Sequence, residues 1–131
     1  MIMVHENTLQ ILVVDDNATI GILLKRYFQS AGQTLTVTTQ LHHARQLFQQ
    51  TRYDIVLLDL MLPDGNGLDF LREIQAQDVS TPVIIMSGMQ QKITRQNAAR
   101  EGAAGFLIKP FQLKDVMLLI QQILQRDGLA V

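Results

Sequence analysis

The chain has no cysteine, which excludes both a disulfide framework and a thiolate metal site. It has no apolar run near the roughly 20 residues that a membrane span needs. Met1 to Val4 is apolar, but His5, Glu6 and Asn7 end that run too soon for a secretory signal. Basic excess is missing too: 11 Lys and Arg against 12 Asp and Glu leave a formal charge of −1. Without a basic footprint the domain is not expected to bind nucleic acid by itself. Repeats and low-complexity linkers are lacking, despite the many glutamines. What is present is 131 residues, 47% hydrophobic and 18% charged, enough for one domain with a core that needs no staples. A cytoplasmic domain is the default. Residues 1–8 read as a flexible N-terminal segment, 9–126 as the domain, and 127–131 as a C-terminal tail or linker stub.

The chain is organised around Asp54-Ile55-Val56-Leu57-Leu58-Asp59 and the following Leu60-Met61-Leu62-Pro63-Asp64-Gly65-Asn66-Gly67. Ile55 to Leu58 is an unbroken apolar run, short enough for a strand buried on both faces. It ends in a carboxylate, and then Pro63, Gly65 and Gly67 turn the chain. Leu9 to Val14 predicts an earlier strand, ending in Asp15 and Asp16. From Asn17 the period becomes helical: Ile20, Leu23, Leu24, Tyr27 and Phe28 form one apolar face, stopped at Ala31-Gly32. Leu35 and Val37 alternate with threonines in a more exposed strand. Leu41, Ala44, Leu47 and Phe48 mark a second helix, with His42 and His43 near its start.

Leu68, Leu71 and Ile74 outline a third helix, and Pro82 to Met86 a fourth strand ending in Ser87-Gly88. A weakly amphipathic helix is expected within Gln90 to Gly102, its thin apolar face made by Ile93, Ala98 and Ala99. Gly105 to Ile108 is a fifth strand ending in Lys109-Pro110, and Leu113, Val116, Met117, Ile120, Ile123 and Leu124 stripe a last helix. Strand and helix alternate five times, which predicts a parallel sheet with helices on both faces and right-handed crossovers.

In a parallel sheet the residues just past the strands share one rim. Here that rim collects Asp15, Asp16, Asp59, Ser87 and Lys109. Crowded carboxylates repel and need a cation; Lys109 supplies one, and a hard divalent ion such as Mg²⁺ would supply another. With no cysteine, and with the histidines on or outside helices, zinc is not expected. A hydroxyl, an ammonium and a divalent cation around one carboxylate make a cradle for a phosphoryl group, and Asp59 is the candidate nucleophile.

These four stretches, Val13 to Asp16, Asp54 to Gly67, Pro82 to Gly88 and Gly102 to Phe111, together resemble the receiver domain of two-component response regulators, over roughly Leu9 to Arg126. The resemblance implies a single doubly wound, flavodoxin-like (βα)5 domain with strand order 2-1-3-4-5. It implies Asp59 as the phosphoacceptor, charged by a histidine kinase or a histidine phosphotransfer protein. It further implies Mg²⁺ or Mn²⁺ held by Asp16, Asp59 and the Met61 backbone carbonyl, with Asp15 acting through metal-bound water. Ser87 and Lys109 would hold phosphoryl oxygens, and Lys109-Pro110 would be a cis peptide. Ser87 and Phe106 would form the switch. Gly21, Ile22, Pro110, Phe111 and Leu118 are the candidate docking residues, Leu118 on the face of helix 4, strand 5 and helix 5 that serves dimerisation or target binding.

Such a domain is a signalling module, not an enzyme on other substrates; it catalyses only its own phosphotransfer and autodephosphorylation. Met61 and Met89, two places beyond Asp59 and Ser87, are apolar where a polar side chain would guide hydrolytic water. An aspartyl-phosphate that is not unusually short-lived is therefore expected. A turnover phosphatase would want an acidic residue at Met61 and a lid. A nucleotide-binding domain would want a glycine-rich loop after the first strand.

Overall fold

The computed structural model describes residues 8–77, 80–88 and 93–126. The elements run β1 (Gln10–Val14), α1 (Ala18–Ser30), β2 (Thr34–Thr38), α2 (Leu41–Gln50), β3 (Ile55–Asp59), β4 (Met61–Leu62), β5 (Gly65–Asn66), α3 (Gly67–Gln77), β6 (Val83–Ser87), α4 (Arg95–Arg100), β7 (Gly105–Ile108) and α5 (Leu113–Arg126). Five strands form a parallel sheet in the order β2-β1-β3-β6-β7. Counting only these long strands, that is the expected 2-1-3-4-5. The added pair, β4 and β5, is a small antiparallel hairpin joining Met61 to Asn66 and Leu62 to Gly65. Pro63, Gly65 and Gly67 by themselves predict only a turn here.

The central strands β1, β3 and β6 are buried on both faces because they are apolar at nearly every position, and alternate side chains enter different cores. Leu12, Val14, Val56, Leu58 and Ile85 pack with Leu41, Ala44, Phe70, Leu71, Ile74, Ala98 and Phe106, beneath α2, α3 and α4. Ile11, Val13, Ile55, Leu57, Ile84 and Met86 pack with Leu24, Phe28, Val116, Ile120 and Leu124, beneath α1 and α5.

Three expectations are corrected. The fourth helix, described over Arg95–Arg100, lies within 90–102 as expected and is capped by the Thr94 side chain on the Asn97 N–H, but of its expected apolar face only Ala98 is buried, with Ala99 exposed and Ile93 before its first turn. Residues 90–92 lie outside the described residues. Leu23 is not on the buried face of α1 but 46% exposed. The face in contact with the sheet is Gly21, Leu24 and Phe28, three and four residues apart, and Leu23 is turned about 100° from Leu24. Strands β3 and β6 also run one residue further than expected at the rim, so that Asp59 and Ser87 end them instead of opening loops. Residues 1–7 of the expected segment 1–8, and the expected tail 127–131, lie outside the described residues.

Candidate functional site

Parallel register places the site. Val14 is level with Leu58, Asp59 with Met86, and Ser87 with Ile108. Asp15, Asp59, Ser87 and Lys109 therefore reach one edge from four adjacent strands. Each is tied there by backbone. The Asp15 N–H donates to Thr38 O at 3.0 Å and the Lys109 N–H to Ser87 O at 2.8 Å. The Lys109-Pro110 peptide is cis, as the resemblance implies.

Lys109 reaches back across the rim, its Nζ 2.7 Å from Asp15 Oδ2 and 2.9 Å from Asp59 Oδ2. Asp15 is wholly buried and Asp59 nearly so, while Asp16 is exposed at the mouth. One carboxylate oxygen from each of these three lies within 4.8 Å of the others. Asp15 Oδ1 accepts from the Asn17 N–H at 2.9 Å, and Asn17 in turn caps α1 by accepting from the Ile20 N–H. Asp59 Oδ1 accepts from the Met61 N–H at 3.2 Å. The Ser87 hydroxyl donates to Gly88 O at 3.3 Å.

Burial pushes the Asp15 carboxyl above its ordinary range, against the pull of the Lys109 ammonium and the Asn17 N–H. For Lys109, burial pulls the other way, but Asp15 and Asp59 together outweigh it and hold the ammonium above its usual value. Among the described residues, Asp15 Oδ2 meets the Lys109 ammonium as an ion pair at 2.7 Å but has no donor aligned for a hydrogen bond. Among the described residues, three carboxylates gather around the ammonium of Lys109, which pairs with Asp15 and Asp59. An oxygen-preferring divalent cation fits that donor set, because it meets charge and lone pair together.

The remaining candidates fall as follows. Phe106 is buried, and the Arg95 guanidinium lies over its ring, 5.3 Å from the centroid. Arg95 also donates to Phe106 O at 3.4 Å. Ile22, Met61 and Leu118 are 54%, 57% and 53% exposed; Pro110 is exposed and Phe111 half-buried. Gly21, placed with Ile22 as docking surface, is instead buried: a Cβ there would stand 2.7 Å from Val37 Cγ1. Its missing side chain serves close packing of α1 on β2. Met89 lies outside the described residues.

Sequence reasoning passed over three residues that the structure brings in. Asn17 orients Asp15, and its signal was legible as an asparagine opening a helical period. Arg95 meets Phe106 and Asp64 meets α2, contacts between distant segments that no local pattern announces. Among the described residues, no helix is long and apolar enough to cross a membrane.

A family model described as the response regulator receiver domain matches residues 11–126. The virulence transcriptional regulatory protein PhoP of Salmonella choleraesuis is 31% identical over 93% of this chain, which spans 55% of that protein. The regulatory protein AtoC of Escherichia coli is 33% identical over 92% of the chain, which spans 26% of it. Among solved structures, the signal receiver domain of a putative Luxo repressor protein from Vibrio parahaemolyticus superposes with a TM-score of 0.84 at 27% identity, covering 92% of this chain and 93% of that one. A receiver domain protein from Clostridium thermocellum gives 0.84 at 28% identity, covering 92% and 97%.

Proposed function

The chain belongs to the receiver domains of two-component response regulators, phosphoacceptor modules of signal transduction, and we propose that Asp59 is its acceptor, charged from a phosphohistidine. One arrangement carries this reading: Lys109 Nζ set between Asp15 and Asp59, with three carboxylates gathered beside it. In the transfer, an Asp59 carboxylate oxygen bonds to phosphorus as the P–N bond to the donor histidine breaks. Lys109 and the Ser87 hydroxyl would donate to phosphoryl oxygens where charge collects. Asp16, Asp59 and the Met61 carbonyl would hold Mg²⁺ or Mn²⁺, with Asp15 behind a metal-bound water. When bound, the ion neutralises charge on the phosphoryl oxygens.

The phosphoryl group carries about −1.5 to −2 of charge in place of the single charge of the Asp59 carboxylate, and moves that charge outward. Ser87 would turn from Gly88 O towards the new oxygens, and Phe106 would move into the space it leaves. The same site would release phosphate by autodephosphorylation, without a polar guide at Met61. Ile22, Pro110 and Phe111 would receive the histidine kinase or phosphotransfer protein; Leu118 would serve a dimer or target. The chain would work in the cytoplasm, where such donors operate. The test is incubation with Mg²⁺ and acetyl phosphate, read by intact mass: one added phosphate on the parent, none on Asp59→Asn. Equal gain by both would end the assignment.

A further inference from the structure

Helix α2 begins without a cap of its own. Gln40 stands at the N-cap with extended backbone but makes no side-chain hydrogen bond to the first turn. The Leu41 and His42 N–H groups donate instead to the two oxygens of one carboxylate, Asp64, at 2.8 and 2.9 Å. Asp64 comes 23 residues after Leu41 and sits in the turn between β4 and β5. The same turn packs closely on α2, for a Cβ on Gly65 would come 2.9 Å from Leu41 Cδ1. At the other end of the hairpin, the Met61 N–H donates to Asp59 Oδ1. One short hairpin thus grips a helix with its turn and touches the acceptor carboxylate with its first residue.

We propose that Asp64 is a positioning residue for the acceptor site: by clamping the hairpin turn to α2, it sets the Met61 backbone, both the N–H on Asp59 and the carbonyl assigned to the cation. This rests on the reading of Asp59 as acceptor. The anchor is firm. Leu41 and Ala44 are buried, and Arg45 joins α2 to α3 through two parallel hydrogen bonds to Glu73, at 2.8 and 2.9 Å. Mg²⁺ tolerates little departure from octahedral geometry, and loss of a partner that orients a ligand typically costs 10- to 100-fold in affinity.

A borrowed helix cap would show the same hydrogen bonds, so the experiment must separate helix stability from loop position. Gln40→Asp provides the means, since position 40 already has N-cap backbone, φ −137 and ψ 143. It returns a cap to α2 without tying the hairpin. The parent, Asp64→Ala, Asp64→Ala with Gln40→Asp, and Asp59→Asn are compared in three ways. These are thermal midpoint, Mn²⁺ binding by the electron paramagnetic resonance of free ion, and the initial rate of phosphate gain from acetyl phosphate at subsaturating Mg²⁺.

Asp64→Ala lowers the midpoint, and lowers Mn²⁺ affinity and rate about 10-fold. The double variant regains the midpoint but neither affinity nor rate. If it regains all three, or if Asp64→Ala changes only the midpoint, Asp64 is a helix cap alone and the proposal falls. Should Asp64→Ala not fold, parent against double variant decides in the same way. Should the parent gain no phosphate, the acceptor reading fails, while Mn²⁺ affinity still decides the clamp.

Discussion

Gly67 shows how little room the end of β3 leaves. Its N–H donates to Leu60 O at 2.7 Å, and a Cβ on it would collide with the Asp59 carbonyl oxygen and stand 3.0 Å from Leu60 Cα. Both obstacles are backbone, which cannot step aside as a flexible side chain can. Gly67→Ala is therefore expected to destabilise the fold by about 1–3 kcal/mol, seen as a lower urea midpoint at an unchanged slope. Gly21 faces a softer obstacle, the Val37 side chain. A glycine in the sequence suggested surface access at 21 and a turn at 67; backbone close to backbone explains only the second.

Among the elements, α4 is the one least held by its own sequence. It has six residues, one of them buried, too short for a helix to persist by propensity. Arg95 at its first position has the wrong sign for the helix dipole, and it is placed there over the Phe106 ring. At the far end Glu101 pairs with Arg72 of α3 at 3.1 Å. Arg95→Ala removes a cation–π contact of about 0.5–1 kcal/mol. The α4 amides should then exchange about two to five times faster while β3 amides keep their rates.

Helix α2 answers to a different variable. Hydrogen bonds from His42 and Leu41 N–H hold the Asp64 carboxyl below its ordinary value of 3.8. A carboxylate with a lowered folded pKa stabilises above its unfolded pKa, and that contribution is lost as pH falls through the folded one. The Leu41 amide resonance should shift with a midpoint below 3.8, and in Asp64→Asn this titration should vanish.

For the whole molecule, the buried Asp15 carboxylate is a cost that the Lys109 ammonium, its own pKa raised by Asp15 and Asp59, offsets. Asp15 is buried with its pKa raised, so its ionised form at neutral pH weakens the fold; the folded state binds that proton more tightly than the unfolded chain does. Asp15→Asn, which leaves Lys109 paired with Asp59, should raise the metal-free melting temperature. Mg²⁺ should raise the parent's melting temperature further as its concentration increases, and the variant's much less. Equal shifts in both would mean that the ion does not use this rim.

The sequence alone determined the alternation of strands and helices, the parallel sheet and the rim of Asp15, Asp16, Asp59, Ser87 and Lys109. Those features rest on local periodicity and on the rule that parallel strands end at a common edge. Only the tertiary structure decided that Asp64 caps α2, that Arg95 covers Phe106, that Gly21 packs on Val37 and that Leu23 faces out. Each of those depends on where one element settles against another. Two segments far apart in the chain carry no mark of their meeting until the core brings them together.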